Sequence, residues 1–353
     1  MIAFLIVLII LGLILEYISL NSSFGNIHFE FQSDERTTEP DAAFYMIEKV
    51  SNTSWIPVTF LKTKILFPHG SAGQKKRTVQ MNSFERQSTQ RYFLLGHRRI
   101  TRKVPLTLSE RGLYWFEDAE MERGDFLGLR SSFTHCWGYS SIAVLPRRLK
   151  DSRSVDTLSG IIGDFLSKPY LMRDPILSIG VREYTGNEPM KTISWKKSAQ
   201  RGSLMVREFD YTRERSCCLV VLGSVQADED GMELCARIGR TAGEMLMEKG
   251  VQLQFFTNAY LQACRPFEIY ESEASRFASG MFLDQLARIR PGSVAAESKL
   301  LETIRDHSRS GSQCIVITPC ARGEADAFMQ RLRTVSGSDC TVIYADDFRE
   351  ELR

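Results

Sequence analysis

Apolar periodicity changes near residue 151, and that change limits this chain to a composite fold. Before it, short runs alternate apolar and polar side chains, as in Ile27-His28-Phe29-Glu30-Phe31. Further short strand-like runs follow at 43–47, 57–61, 91–95, 104–108, 113–116 and 142–145. Turn residues such as Ser51-Asn52-Thr53-Ser54 separate the runs. The spacing predicts an antiparallel β-sandwich over 24–150. After residue 151 the period lengthens. Residues 155–166, 231–249, 273–289, 298–309 and 325–336 are predicted helical, with short apolar strands at 219–222, 253–257, 315–318 and 341–344. Alternating β and α elements with buried strands indicate a parallel, doubly wound sheet over 216–353.

At 353 residues the chain is long enough for two ordinary domains. Its net charge of +2 provides no global field for nucleic acid, and none is expected as a partner. The eight cysteines contain no C-x-x-C pair, which removes support for zinc ribbons and thioredoxin-like chemistry. Several lie in apolar runs such as Cys217-Cys218-Leu219, as free core cysteines do, and they lean toward a reducing compartment.

The N-terminus is apolar without interruption over residues 2–15, and the run reaches Leu20 if Glu16 and Ser19 are tolerated. A helix over that full stretch spans roughly 30 Å, about one bilayer core. A cleaved signal would carry a basic start and a small-residue cleavage site, and no Lys or Arg precedes Arg36. A buried core helix would show a polar face. The expectation is therefore a membrane anchor over residues 1–20, in contact with lipid. The protein would be single-pass in the cell membrane, with its soluble domains on the cytoplasmic side. A rival placement outside the membrane would pair the cysteines.

Residues 182–209 form the densest motif. It contains Arg182-Glu183-Tyr184, a Gly186-Asn187-Glu188-Pro189 turn, Lys191, Ile193, Trp195-Lys196, Ser198, Gly202 and Val206-Arg207-Glu208-Phe209. Aromatic residues interleaved with opposite charges predict a partly buried ion network between two strands, with Trp195 largely buried. The block resembles the signature of the bacterial family catalogued as domain of unknown function 58. That pattern is R-E-Y-x-x-G-D-x-x-R-x-I-x-W-K-x-S-A-R-x-G-x-L-x-V-R-E-F. Here Asn187-Glu188 stand for Gly-Asp, Lys191 for Arg and Gln200 for Arg. Arg111-Gly112-Leu113-Tyr114, Asp125-Phe126-Leu127-Gly128-Leu129 and Val144-Leu145-Pro146-Arg147 resemble further motifs of the family. The resemblance covers most of 27–345. It implies a von Willebrand factor A-like domain over 216–353 and makes 151–215 a signature connector. Family members often occur beside MoxR-type AAA+ ATPases, so it also implies a partner of that kind.

Adhesion domains of the von Willebrand type hold a divalent cation with D-x-S-x-S after the first strand, where hard oxygens converge from one loop. The corresponding run here is Leu222-Gly223-Ser224-Val225-Gln226, without the Asp or the second Ser. Asp228, Glu229 and Asp230 fit a helix N-terminus better. No metal, cofactor or catalytic residue is expected. The five histidines show no ligand or triad spacing, Cys136 beside His135 lacks an aligned base, and no phosphate loop is present. Basic clusters at 75–77, 98–103 and 147–150 are solvated loops or contacts to anionic headgroups. The expected fold class is thus multi-domain α+β: a transmembrane helix, an antiparallel sandwich, then a doubly wound α/β domain. The expected function is a non-enzymatic, membrane-anchored scaffold that presents Arg182, Glu183, Tyr184, Glu188, Lys191, Trp195, Lys196, Ser198, Arg207 and Glu208. The alternative is a metal-dependent adhesion or hydrolytic module using Ser224, Asp228 and Asp230.

Overall fold

The computed structural model describes residues 2–21, 24–66, 79–80, 87–125, 130–167, 172–186, 188–212, 216–263, 269–270, 275–276, 279–308, 312–336 and 339–352. In chain order, helix α1 (Ile2–Asn21) precedes strands β1 (Ile27–Ser33), β2 (Thr37–Thr38), β3 (Ala43–Asn52), β4 (Val58–Leu66), β5 (Val79–Gln80), β6 (Gln87–Leu94), β7 (Arg99–Leu108), β8 (Gly112–Gly124) and β9 (Ser131–Val144). Then come α2 (Ser152–Ser167), β10 (Met172–Glu183), α3 (Trp195–Arg201), β11 (Met205–Thr212), β12 (Ser216–Val221), α4 (Glu229–Glu248) and β13 (Gln252–Thr257). The chain ends with β14 (Ala259–Gln262), β15 (Ile269–Tyr270), β16 (Ser275–Arg276), α5 (Ser279–Arg288), β17 (Ile289–Val294), α6 (Glu297–His307), β18 (Gln313–Thr318), α7 (Arg322–Ser336), β19 (Cys340–Tyr344) and a 3₁₀ turn (Ala345–Leu352).

These elements form two compact units, and the first takes in 1–148 together with 259–272 and 280–293. Its two main sheets have strand orders β1-β3-β7-β5 and β2-β9-β8-β4-β6. Strand alternation supplies the core. Phe44, Met46 and Val50 of β3 are buried on one face, with Tyr45 and Ala43 outward. They belong to clusters that include Phe31, Leu106, Phe116 and Ile142 on one side and Leu61, Leu94 and Met121 on the other. Helix α5 covers a further apolar group, in which Ala287 joins Leu113, Trp115, Ala143 and Leu145.

The second unit holds a five-stranded sheet, order β16-β13-β12-β18-β19. β12 pairs in parallel with β13 and β18, and β18 with β19. All six residues of β12 are buried, which is why Ser216–Val221 reads as a continuous run rather than an alternation. α6 and α7 supply Leu300, Ile304, Phe328 and Leu332 to one core cluster with Cys218, Val220 and Val316. α4 starts at Asp228, whose Oδ1 accepts a hydrogen bond from the Gly231 amide at 2.9 Å.

Two features correct the expected fold class. Among the described residues no helix is long and apolar enough to cross a membrane. The unbroken apolar part of α1, residues 2–15, covers about 21 Å at about 1.5 Å per residue, short of a bilayer core of about 30 Å. Glu16 then interrupts it, and that side chain is only 8% exposed, so the fold covers a charged group where an anchor would continue. The single-pass membrane placement, the cytoplasmic assignment that followed from it and the lipid contact through residues 1–20 therefore have no support. Second, the sheets are mixed. β2 runs parallel to β9 in the region expected to be antiparallel throughout, and β16 pairs antiparallel with β13 at the edge of the otherwise parallel sheet.

One polar group is buried between the two main sheets of the first unit. Glu48 of β3 is fully buried, and the Tyr92 hydroxyl of β6 donates to its Oε2. Arg102, opposite Glu48 on β7, lies 4.8 Å from the Tyr92 ring centre and donates to Gln90 at 2.6 Å. Thr63 Oγ1 and Glu48 Oε1 are both buried without a hydrogen-bond partner among the described residues. Burial pushes the Glu48 carboxyl above its usual range, against the opposing effects of the Tyr92 bond and the Arg102 charge. An acid whose folded pKa is raised contributes most below its unfolded pKa, and that contribution is lost as pH rises through the folded value. Thermal stability should therefore fall as pH rises from about 4.3, the ordinary glutamate value. Glu48→Gln should flatten that decline and raise the melting temperature at pH 8 by about 2–4 °C, as expected for ~1 kcal/mol in a unit of this size. Melting curves from pH 5 to 8 check this.

Candidate functional site

Residues 182–209 fold as an excursion between the antiparallel strands β10 and β11. Ile193 bridges Val206, the Tyr184 amide donates to Leu204 O at 2.9 Å, and the Ser194 amide donates to Met205 O at 2.8 Å. The excursion is thereby stitched to the start of β11. α3 begins at Trp195 and ends at Gly202, whose φ of 73° is the left-handed conformation that closes a helix. The sequence placed Trp195 between two strand-like runs; in the structure it opens a helix, and Ile193 just before it makes a strand bridge.

Ser198 organises the interior of this module. Its hydroxyl donates to Ser194 O at 3.0 Å and accepts from the Met205 amide at 2.8 Å, all under cover. One small side chain thus satisfies the α3 backbone and the first residue of β11. Trp195, one turn away, is 61% exposed. This overturns the expectation of a buried Trp: the helix that Ser198 holds turns the indole outward. Met190 and Leu204 are exposed in the same module.

Nor is the block a buried ion network. Among the described residues, Arg182 and Glu188 form its one ion pair, at 2.6 Å. Glu188 also accepts from the Thr185 hydroxyl at 2.7 Å and the Thr185 amide at 3.1 Å. The Thr185 hydroxyl, followed by the Arg182 guanidinium, holds the Glu188 carboxyl down to about 2. The pair fixes the turn that follows β10. Glu183, Lys191, Lys196 and Arg207 are exposed. Arg207 is opposite Val181 in the β10–β11 register, and Tyr184 is half-buried with its hydroxyl donating to Gly186 O at 3.2 Å. The Glu208 side chain lies outside the described residues. The block therefore gathers an exposed Trp and Met among exposed cations on a rigid base.

The carboxyl edge of the second unit's sheet is the other place where an α/β fold presents chemistry. Asn258 locks it, accepting from the Gly223 amide at 2.7 Å and donating to Gly223 O at 3.0 Å. The Thr257 hydroxyl donates to Val221 O at 2.7 Å. Sequence reasoning missed this Thr257-Asn258 pair; its signal is a polar doublet at the end of an apolar strand. Ser224 Oγ accepts from the Gln226 amide at 3.2 Å, and Asp228 is occupied as the α4 cap. These residues of the adhesion alternative thus fill turn and cap roles. Among the described residues no group of three or more His, Cys, Asp or Glu side chains could hold a metal ion. Cys320 projects at the same edge, and burial pushes its thiol up, away from the thiolate that nucleophilic chemistry needs. Cys136 is likewise pushed up by burial, and His135 beside it is exposed. Cys264 and residues 126–129 of the upstream motif lie outside the described residues.

No family model matches the chain, and no curated protein matches it. Among solved structures it is similar to the CARDB domain of a Pyrococcus furiosus protein solved with di-metal ions, at 11% identity, covering 35% of this chain and 97% of that one, with a TM-score of 0.22. It is similar also to a PapD-like domain of human CEP192, at 8% identity over 34% and 86% of the two chains, TM-score 0.20. The sporulation control protein Spo0M of Bacillus subtilis gives 9% identity over 45% and 58%, TM-score 0.21. At these scores none of the likenesses bears on the fold or activity of this chain.

Removing the Ser198 hydroxyl leaves the buried Met205 amide unpaired, so Ser198→Ala should cost about 1–3 kcal/mol. Trp195→Ala should stay within about 0.5 kcal/mol of the parent, as exposed substitutions do. Thermal denaturation of both variants separates the two roles.

Proposed function

We propose that this chain is a non-enzymatic interaction or scaffold protein whose docking surface is the module between β10 and β11. The observation that supports this reading is Trp195, 61% exposed on a helix whose base is pinned by Ser198. An exposed Trp held by rigid backbone is the side chain that most often carries interface energy, because it buries a large area at little entropic cost. Met190 and Leu204 add apolar surface, and Lys191, Lys196, Lys197, Arg201 and Arg207 surround it with positive charge. An acidic, partly apolar protein surface complements that arrangement. The resemblance to the domain of unknown function 58 family makes a MoxR-type AAA+ ATPase the partner to test, in assembly or remodelling of a larger complex.

The purified chain, mixed with the MoxR-type ATPase of the same cell, should form a complex that salt weakens. Trp195→Ala should reduce affinity by about 2 kcal/mol or more, the loss expected for an interface anchor, with an unchanged melting temperature. Equal binding by parent and Trp195→Ala, measured by calorimetry, would remove the module from the interface. No complex with the parent chain would remove the ATPase.

A further inference from the structure

The outer edge of β6 is a second place where this protein can take a partner, independent of the β10–β11 module. β6 closes the sheet order β2-β9-β8-β4-β6, and among the described residues it pairs only with β4. Its side chains alternate cleanly. Tyr92 and Leu94 are buried inward, and Arg91 and Phe93 face out, with Phe93 57% exposed and Leu95 beyond it 51% exposed. An open edge displays unpaired amides and carbonyls, and proteins usually blunt it with Pro, a bulge or inward charge. β6 contains no Pro, and the register shift near this edge lies between Val58 and Leu61 of β4.

Charge on the outer face shows what is missing. Across the strands, Glu122 of β8, Lys62 of β4 and Arg91 of β6 stand in one row. Lys62 pairs with Glu122 at 3.4 Å, and in the parallel row Lys64 pairs with Glu120 at 3.6 Å. Arg91 therefore faces a lysine that is already neutralised, and among the described residues it has no acid of its own. Like charges directly opposite are unfavourable, and an acid on the far side of Arg91 would complete the row. Residues 87–108, spanning β6, its turn and β7, contain no Asp or Glu, while Arg98, Arg99 and Lys103 are exposed.

We infer that β6 accepts an extended acidic segment of a partner protein as an added strand. Its backbone pairs with the open edge, a carboxylate sits opposite Arg91 and an apolar side chain lies beside Phe93. A strand edge selects a peptide over other anions, because only a peptide can use the unpaired backbone groups.

The test uses the full chain and a fluorescent heptapeptide alternating valine and glutamate. Anisotropy should saturate, Arg91→Glu and Phe93→Ala should each weaken binding about tenfold or more, and Arg91→Lys should restore it. A lysine-for-glutamate peptide, and one N-methylated at alternate amides, should not bind. Trp195→Ala should leave binding unchanged, which separates this edge from the β10–β11 module. The inference is overturned by any of four results: no saturation by about 1 mM peptide, the weakest specific range; unaltered binding by Arg91→Glu; full binding of the N-methylated peptide; or Arg91-dependent binding of phosphatidylglycerol vesicles or a single-stranded oligonucleotide in place of the peptide.

Discussion

Buried backbone amides and carbonyls must be paired wherever the chain leaves a sheet, and here side chains do much of that pairing. Ser198 joins α3 to the first residue of β11 through two hydrogen bonds. Asn258 performs the same task for the loop after β12, gripping both the amide and the carbonyl of Gly223. In the first unit, buried Arg111 donates to Leu286 O at 2.8 Å and Ile289 O at 3.2 Å, at the end of α5. Gln262 accepts from the Leu113 amide at 3.2 Å, and Trp115 donates to Ala263 O at 3.2 Å. Each removes the cost of an orphaned polar group, which exceeds the gain of an ordinary hydrogen bond. Rigid excursions follow from this, and rigid excursions can carry exposed groups at fixed positions.

That constraint explains the division of labour within 182–209. A motif dense in charge and aromatics suggests a buried network, because burying charge requires partners. The chain takes a less costly course. Its charges remain at the surface, the single Arg182–Glu188 pair fixes a turn, and a neutral hydroxyl carries the interior. Ser198, the least conspicuous residue of the block, is the one whose loss leaves a buried amide unpaired. Trp195, the most conspicuous, contributes little to holding the fold and is free to contact something else.

Strand and helix periods made many elements legible. The strand-like run at 43–47 lies in β3, the unbroken run after residue 216 is β12, and the acids at 228–230 open α4. Side-chain direction in short, irregular segments was not legible. Trp195 was expected to be buried because it sits between two strand-like runs, and α3, at 7 residues, offers only about two turns of local signal. The N-terminal run misled for a different reason: hydropathy counts apolar residues, but spanning depends on unbroken length, and Glu16 breaks it. The return of 259–272 and 280–293 to the first unit has no local signature at all, since nothing in those residues encodes a distant sheet.

The edge of β6 shows why satisfied groups are only half of a structural reading. In the interior, the Glu48–Tyr92 pair is costly because burial strips water from the carboxyl, and that burial raises its pKa despite the Tyr92 bond and the Arg102 charge. On the surface, Arg91 is exposed, and its lack of an acidic partner among the described residues costs little because water solvates it. An incomplete polar group inside a core is therefore a stability term that pH can move. The same incompleteness at a strand edge is what the inferred acidic strand would use, since among the described residues a carboxylate and a backbone ladder would displace no pairing of that edge.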